Sequence, residues 1–129
     1  MRFEPLTTVS PDRAALQAEY RLGRPIGKLR LGERTLFFRS GLRIYYVPYA
    51  DIRRYFRRVM CVPAKLCCGQ GAFELEHLVL CGERGELAQI GLPGAKAAKA
   101  VMDAMAQLAP DAETGRPPAQ DPPTETIAQ

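Results

Sequence analysis

Residues 45–58 read YYVPYADIRRYFRR, with tyrosines, a phenylalanine and four arginines around one Val-Pro step. How this stretch folds decides both the architecture and the way charge is displayed. Ile52, Tyr55, Phe56 and Val59 fall at i, i+3, i+4 and i+7, the spacing of an apolar helical face with Arg53, Arg54, Arg57 and Arg58 gathered opposite. Against that, Tyr, Phe and Val favour strands, and Pro48 and Pro63 bracket a segment that suits one. The stretch is read as a strand, with a bulge absorbing the phase slip. Alternation then sends Arg54 and Arg58 to one side and Arg53 and Arg57 to the other, so the four arginines cannot form a single patch, as they would on a helix.

The flanking sequence has the same texture, short apolar runs between turn residues. TLFFR (35–39) and LRIYYV (42–47) read as a hairpin through Ser40-Gly41, because glycine accepts the positive backbone angle that a short connection demands. FELEHLVLC (73–81) and ELAQIGL (86–92) make a second hairpin through Gly82-Glu83-Arg84-Gly85. Ahead of these, Ser10 as cap with Pro11 and Asp12 predicts a short helix to about Tyr20, which Gly23, Pro25 and Gly27 end. Behind them, Ala98, Val101, Met102, Met105, Leu108 and Ala109 recur at helical spacing with Lys96, Lys99, Asp103 and Gln107 opposite. This second helix should lie on the sheet and stop at Pro110. The expected fold class is α+β, a bent antiparallel sheet or partly open β-barrel capped by a C-terminal amphipathic helix, with a short helix in front. Three sections are expected: residues 1–27, the domain proper at 28–110, and an acidic, proline-rich tail at 111–129 too poor in large apolar groups to order itself.

That order of elements, with IYYVPYADI in it, resembles the bacterial branch of the pleckstrin-homology-like fold. The resemblance rests on Val47, Pro48, Tyr49, Asp51 and Ile52, the hairpin near Gly82 and the helix from Gly94 to Ala109, and spans roughly Lys28 to Ala109. It implies a bent sheet plugged at one end by the last helix. It also implies a non-catalytic binding or regulatory module that presents loops and sheet edges to proteins or lipid headgroups.

Composition narrows the remaining choices. No apolar run nears the roughly 18 residues of a membrane helix, and MRFEPLTTVSPDRAALQ lacks the layout of a secretory signal, so a cytoplasmic place is expected. Cys61, Cys67, Cys68 and Cys81 form no disulfide framework and offer no Cys-x2-Cys knuckle, so they are read as free thiols and no metal is expected. The glycines of LCCGQG (66–71) suit a loop between strands, and no Gly-Lys-Ser/Thr follows to make a phosphate cradle. His77 is the single histidine and sits within an alternating strand, while Glu74 and Glu76 merely alternate. No catalytic residues, cofactor or small-molecule substrate are therefore expected.

Charge is the strongest compositional signal. Arg21 to Arg58 holds 11 basic residues against Glu33 and Asp51, an excess of nine, whereas the tail from Asp111 holds one basic and four acidic residues. Such an excess attracts anionic partners. The candidate binding residues are Arg39, Arg43, Tyr45, Arg53, Arg54, Tyr55, Arg57 and Arg58. The leading expectation is an acidic protein partner; the alternative is a polyanion, either nucleic acid or anionic membrane headgroups. Salt bridges to Asp51, Glu74 and Glu76 would reduce the surface to an ordinary solvated one. Tyr46 and Tyr49 are expected in the core, in a protein that has no tryptophan to fill it.

Overall fold

A computed structural model of the chain describes residues 2–10, 12–63 and 72–115, with the backbone alone at 60–63 and 72–74. Among these residues nine strands form two sheets, and two α-helices pack on them. In chain order the elements are β1 (Arg2–Pro5), α1 (Arg13–Leu22), β2 (Arg24–Ile26), β3 (Leu29–Leu31), β4 (Thr35–Ser40) and β5 (Arg43–Pro48). After a short 3-10 turn at Tyr49–Asp51 come β6 (Arg54–Pro63), β7 (Ala72–Gly82), β8 (Gly85–Leu92), α2 (Ala95–Leu108) and β9 (Glu113–Thr114). Sheet 1 has the order β1-β5-β4-β3-β2 and sheet 2 the order β8-β7-β6-β9. Neither closes into a barrel. Both are mixed rather than purely antiparallel, because β1 runs parallel to β5 and β9 parallel to β6.

The deciding stretch is a strand over most of its length. Pro48, extended at φ −65° and ψ 142°, leads into the 3-10 turn, and β6 begins at Arg54. The phase slip is absorbed ahead of the strand, where the Arg53 N–H bonds to Cys81 and the Arg53 carbonyl accepts from Glu113. The apparent helical face is thereby dealt to both sides of the sheet. Tyr55 enters the main core, Phe56 lies on the opposite face, and Val59 is 40% exposed.

The main core lies between the sheets. Leu36, Phe38 and Val47 from sheet 1 meet Tyr55, Leu78, Leu80 and Ile90 from sheet 2, and α2 adds Val101, Met105 and Ala109. The apolar stripe of α2 is the expected one, since Ala98, Val101, Met105 and Ala109 are buried and Met102 and Leu108 partly so. Sheet 1 is apolar on its other face as well. There Phe37, Ile44 and Tyr46 pack with Leu16 of α1 and with Phe3 and Tyr20 in a cluster of edge-on aromatic contacts.

Several expectations need correction. The first helix runs Arg13–Leu22 and is capped by Asp12, whose carboxylate accepts from the Ala15 N–H at 3.0 Å; the Asp side chain, one residue ahead of the helix, displaces Ser10 as cap. The turn of the first hairpin is Gly41-Leu42, since Ser40 pairs with Arg43, and Gly41 has φ +64°. Within the N-terminal section β1 joins sheet 1 by pairing with the distant strand β5, which no local pattern announces. The expected tail contributes β9 to sheet 2, while its residues from 116 on, like the loop LCCGQG, lie outside the described residues. Among the described residues no helix is long and apolar enough to cross a membrane.

Candidate binding surface

The arginines of β6 lie on a strand, so alternation divides them, and cross-strand register decides what each meets. Arg57 faces the inner side of sheet 2 beside Glu76, and its guanidinium makes a forked pair with that carboxylate at 2.5 and 2.8 Å. Glu76 is 4% exposed. The hydrogen bond from Arg57 holds the Glu76 carboxyl below its usual titration range despite the opposing effect of burial. On the outer side, Arg54 pairs with Glu113 and donates to the carbonyls of Thr114 and Gly115 at 3.3 and 3.1 Å. Arg58 lies over the ring of Phe56, 5.5 Å from its centroid, and donates to Gln89 and to Glu86, the latter at 3.4 Å. On this face Phe56 and Val79 are 5% and 0% exposed although they belong to neither core cluster. Three of the expected binding cations thus sit in ion pairs. Arg53 is exposed, but it borders surface grooves that also carry Glu83, Asp111 and Glu113.

Sheet 1 displays its cations differently. Arg39 and Arg43 stand on either side of the β4–β5 turn, both exposed, with Leu42 between them at 97% exposure. The Arg39 N–H donates to the Lys28 carbonyl at 3.1 Å, which brings the exposed Lys28 of the β2–β3 turn to the same end of the sheet. Arg2 is the register partner of Arg43, and its pairing to Glu4 is loose at 3.7 Å. Cross-strand neighbours of Arg39 and Arg43 are Ile44, Ser40 and Arg2, with no acid among them. Among the described residues Arg39, Arg43 and Lys28 take part in no ion pair. Tyr45 supports this end, half-buried and stacked on Phe38 at 5.3 Å and 21° between planes.

The eight candidate residues therefore do not share one surface. Arg39 and Arg43 flank the turn at the end of sheet 1 on opposite faces, Arg39 with Ile44 on the α1 side and Arg43 with Tyr45 on the other; Arg54 and Arg58 lie on the outer face of sheet 2, Arg57 on its inner face, and Arg53 at the corner between. Tyr55 is 1% exposed within the core, where burial pushes its phenol up from its ordinary pKa. Tyr46 and Tyr49 are core residues, as expected. The Tyr46 hydroxyl accepts from the Ser10 N–H at 2.9 Å, and the Tyr49 hydroxyl donates to the Gly32 carbonyl at 2.8 Å. Desolvation also raises the Tyr49 phenol strongly. Lys28 and Arg2 join this surface although neither is among the eight; the signal for them is the turn at Gly27-Lys28, legible only once β2 and β3 are known to pair.

The residues with chemical potential are scattered. His77 and Cys81 lie four positions apart on β7, about 13 Å along a strand, too far for a thiol-imidazole pair. The Cys81 thiol is pushed up by burial and by Glu86, away from the reactive thiolate. The His77 Nδ1 is buried without a hydrogen-bond partner among the described residues. Among those residues no three of His, Cys, Asp and Glu gather as a metal would require. Cys67 and Cys68 lie outside the described residues. No family model, curated protein or solved structure matches this chain.

Proposed function

We propose that this chain is a non-catalytic binding module, cytoplasmic and pleckstrin-homology-like in architecture, that docks an acidic protein surface through the end of sheet 1. The carrying observation is the contrast in charge pairing. Arg39, Arg43 and Lys28 are exposed at one end and in no ion pair among the described residues, whereas the arginines of β6 are engaged by Glu76, Glu86 and Glu113. A surface of arginine, a supported tyrosine and one projecting leucine has the composition of a protein-interaction anchor. The likeness of element order to the resembled family supports the architecture: a first sheet, a Val-Pro-Tyr corner, a second sheet and a closing helix.

The exposure of Leu42 at 97% favours a second reading, contact with an anionic bilayer, in which the leucine enters the interface and the cations meet headgroups. Retention on an immobilised acidic polypeptide, compared with sedimentation on phosphatidylglycerol vesicles, separates the two. Under the leading reading the chain is retained at low salt, the double variant Arg39→Ala/Arg43→Ala is not, and the vesicles leave it in solution. Equal loss in Arg54→Ala/Arg58→Ala, or retention unchanged in the first variant, overturns the assignment of the site.

A further inference from the structure

Among the described residues, the outward edge of β6 is paired at two of its ten positions. β9 runs alongside at Arg54 and Tyr55, where the Glu113 N–H donates to the Arg53 carbonyl at 2.9 Å and the Gly115 N–H to the Tyr55 carbonyl at 3.2 Å. Donors therefore come from every second residue of the arriving segment. Beyond Tyr55 no strand among the described residues lies on this side of β6.

This open edge belongs to a ribbon that overhangs the sheet. β6 pairs with β7 from Arg54↔Cys81 to Pro63↔Ala72 without a break, but β8 reaches along β7 only as far as Glu76. The overhang begins at Leu75 and its partner Met60, one step past Val59; Val59 and Leu75, 40% and 45% exposed, are the two large apolar residues most exposed among those described on the strands of sheet 2. Its edge residues Val59, Met60, Cys61 and Val62 carry no charge, and neither Lys nor Glu guards them. Long apolar edges left in this state pair with another chain.

We infer that the β6 edge is an interface between two copies of this chain, whose β6 strands pair antiparallel about Met60. Because the Tyr55 carbonyl points outward and β6 keeps its register with β7, the backbone groups of the odd residues Val59 and Cys61 also point outward. A two-fold axis at Met60 sets Val59 opposite Cys61 of the second copy and Cys61 opposite its Val59, so outward donors meet outward acceptors. The same axis places Arg57 and Arg58 of each copy at opposite ends of the interface, with no cation facing a cation and an uncharged centre between. A like-sequence strand is therefore complementary to this edge in both hydrogen bonding and charge, the requirement of an isologous contact.

Val59→Pro is the decisive variant, since it removes an N–H that points to the second copy and leaves those given to β7. Light scattering on the full-length protein over a rising concentration series should report a dimer for the native chain. Val59→Pro should weaken it by about tenfold or more, two symmetry-related bonds being lost, with the far-ultraviolet dichroism unchanged. Should Val59→Pro fail to fold, Val59→Glu serves instead, keeping the N–H but setting two charges beside the uncharged centre, and it too should shift the protein to monomer. A native chain that stays monomeric throughout the series, or a dimer that survives the folded variant unweakened, overturns the inference.

Discussion

The β4–β5 hairpin and strand β6 are both rich in arginine, yet they carry their charge to opposite ends. In the hairpin, Arg39 and Arg43 look across the strands at Ile44, Ser40 and Arg2 and meet no acid among the described residues. In β6, Arg54, Arg57 and Arg58 find Glu113, Glu76 and Glu86 and become part of the scaffold. Charge density along a sequence thus says little about surface potential; the identity of the cross-strand neighbour decides it, and that neighbour is set by register.

The tyrosines give the sharpest test of this contrast. Tyr55→Ala in sheet 2 empties a fully enclosed ring site and should cost about 3–5 kcal/mol in urea titration. Tyr45→Ala in sheet 1, half-buried, should cost clearly less. Equal costs would mean that the two sheets are not divided between scaffold and surface as described. Next in size, Arg57→Ala strands the Glu76 carboxylate at the core's rim and should lower the melting temperature by several degrees. Acid should reproduce that loss in the native chain. A carboxyl held below its ordinary value stabilises the fold above that value, 4.5, and the contribution fades as pH falls below it. A melting temperature followed from neutral pH downward should therefore drop less steeply in Arg57→Ala than in the native protein.

Tyr49→Phe removes the hydroxyl that donates to Gly32 and should cost about 1 kcal/mol. It should also delay alkaline unfolding. A phenol raised by burial is stable below its ordinary value of 10.0 and loses its contribution as pH climbs past it, so phenylalanine at this position removes one source of that loss. The smallest stability effect belongs to Arg39→Ala/Arg43→Ala, expected within about 0.5 kcal/mol of native because neither side chain is in an ion pair among the described residues. Its effect should be on binding alone, seen as earlier elution from the acidic matrix.

Much of this fold was legible in the sequence, and for identifiable reasons. The Ala98-Val101-Met105-Ala109 stripe and the two hairpins are local patterns, so α2 and the pairings β4–β5 and β7–β8 could be read directly. The strand at 54–63 was readable too, because proline brackets and strand-forming residues outweighed an accidental helical spacing. β1 and β9 were not, since each is a short parallel addition whose partner lies far along the chain. The same cause hid the arrangement of the candidate surface. Nothing within residues 53–58 announces Glu113 or Glu86, which arrive 28 to 59 positions later to quench Arg58 and Arg54.

Sheet 1 has two apolar faces, and α1 is the cover of the second. Phe37, Ile44 and Tyr46, at 0%, 3% and 3% exposure, owe their concealment to a helix and a strand that together occupy only the first 22 residues. A shortened version starting at Gly23 would keep every strand of sheet 2 and the closing helix, yet it would lay bare a contiguous aromatic sheet. Such a protein would be expected to precipitate or recruit chaperones while still giving a β-rich spectrum, so its insolubility would say nothing about the rest of the fold.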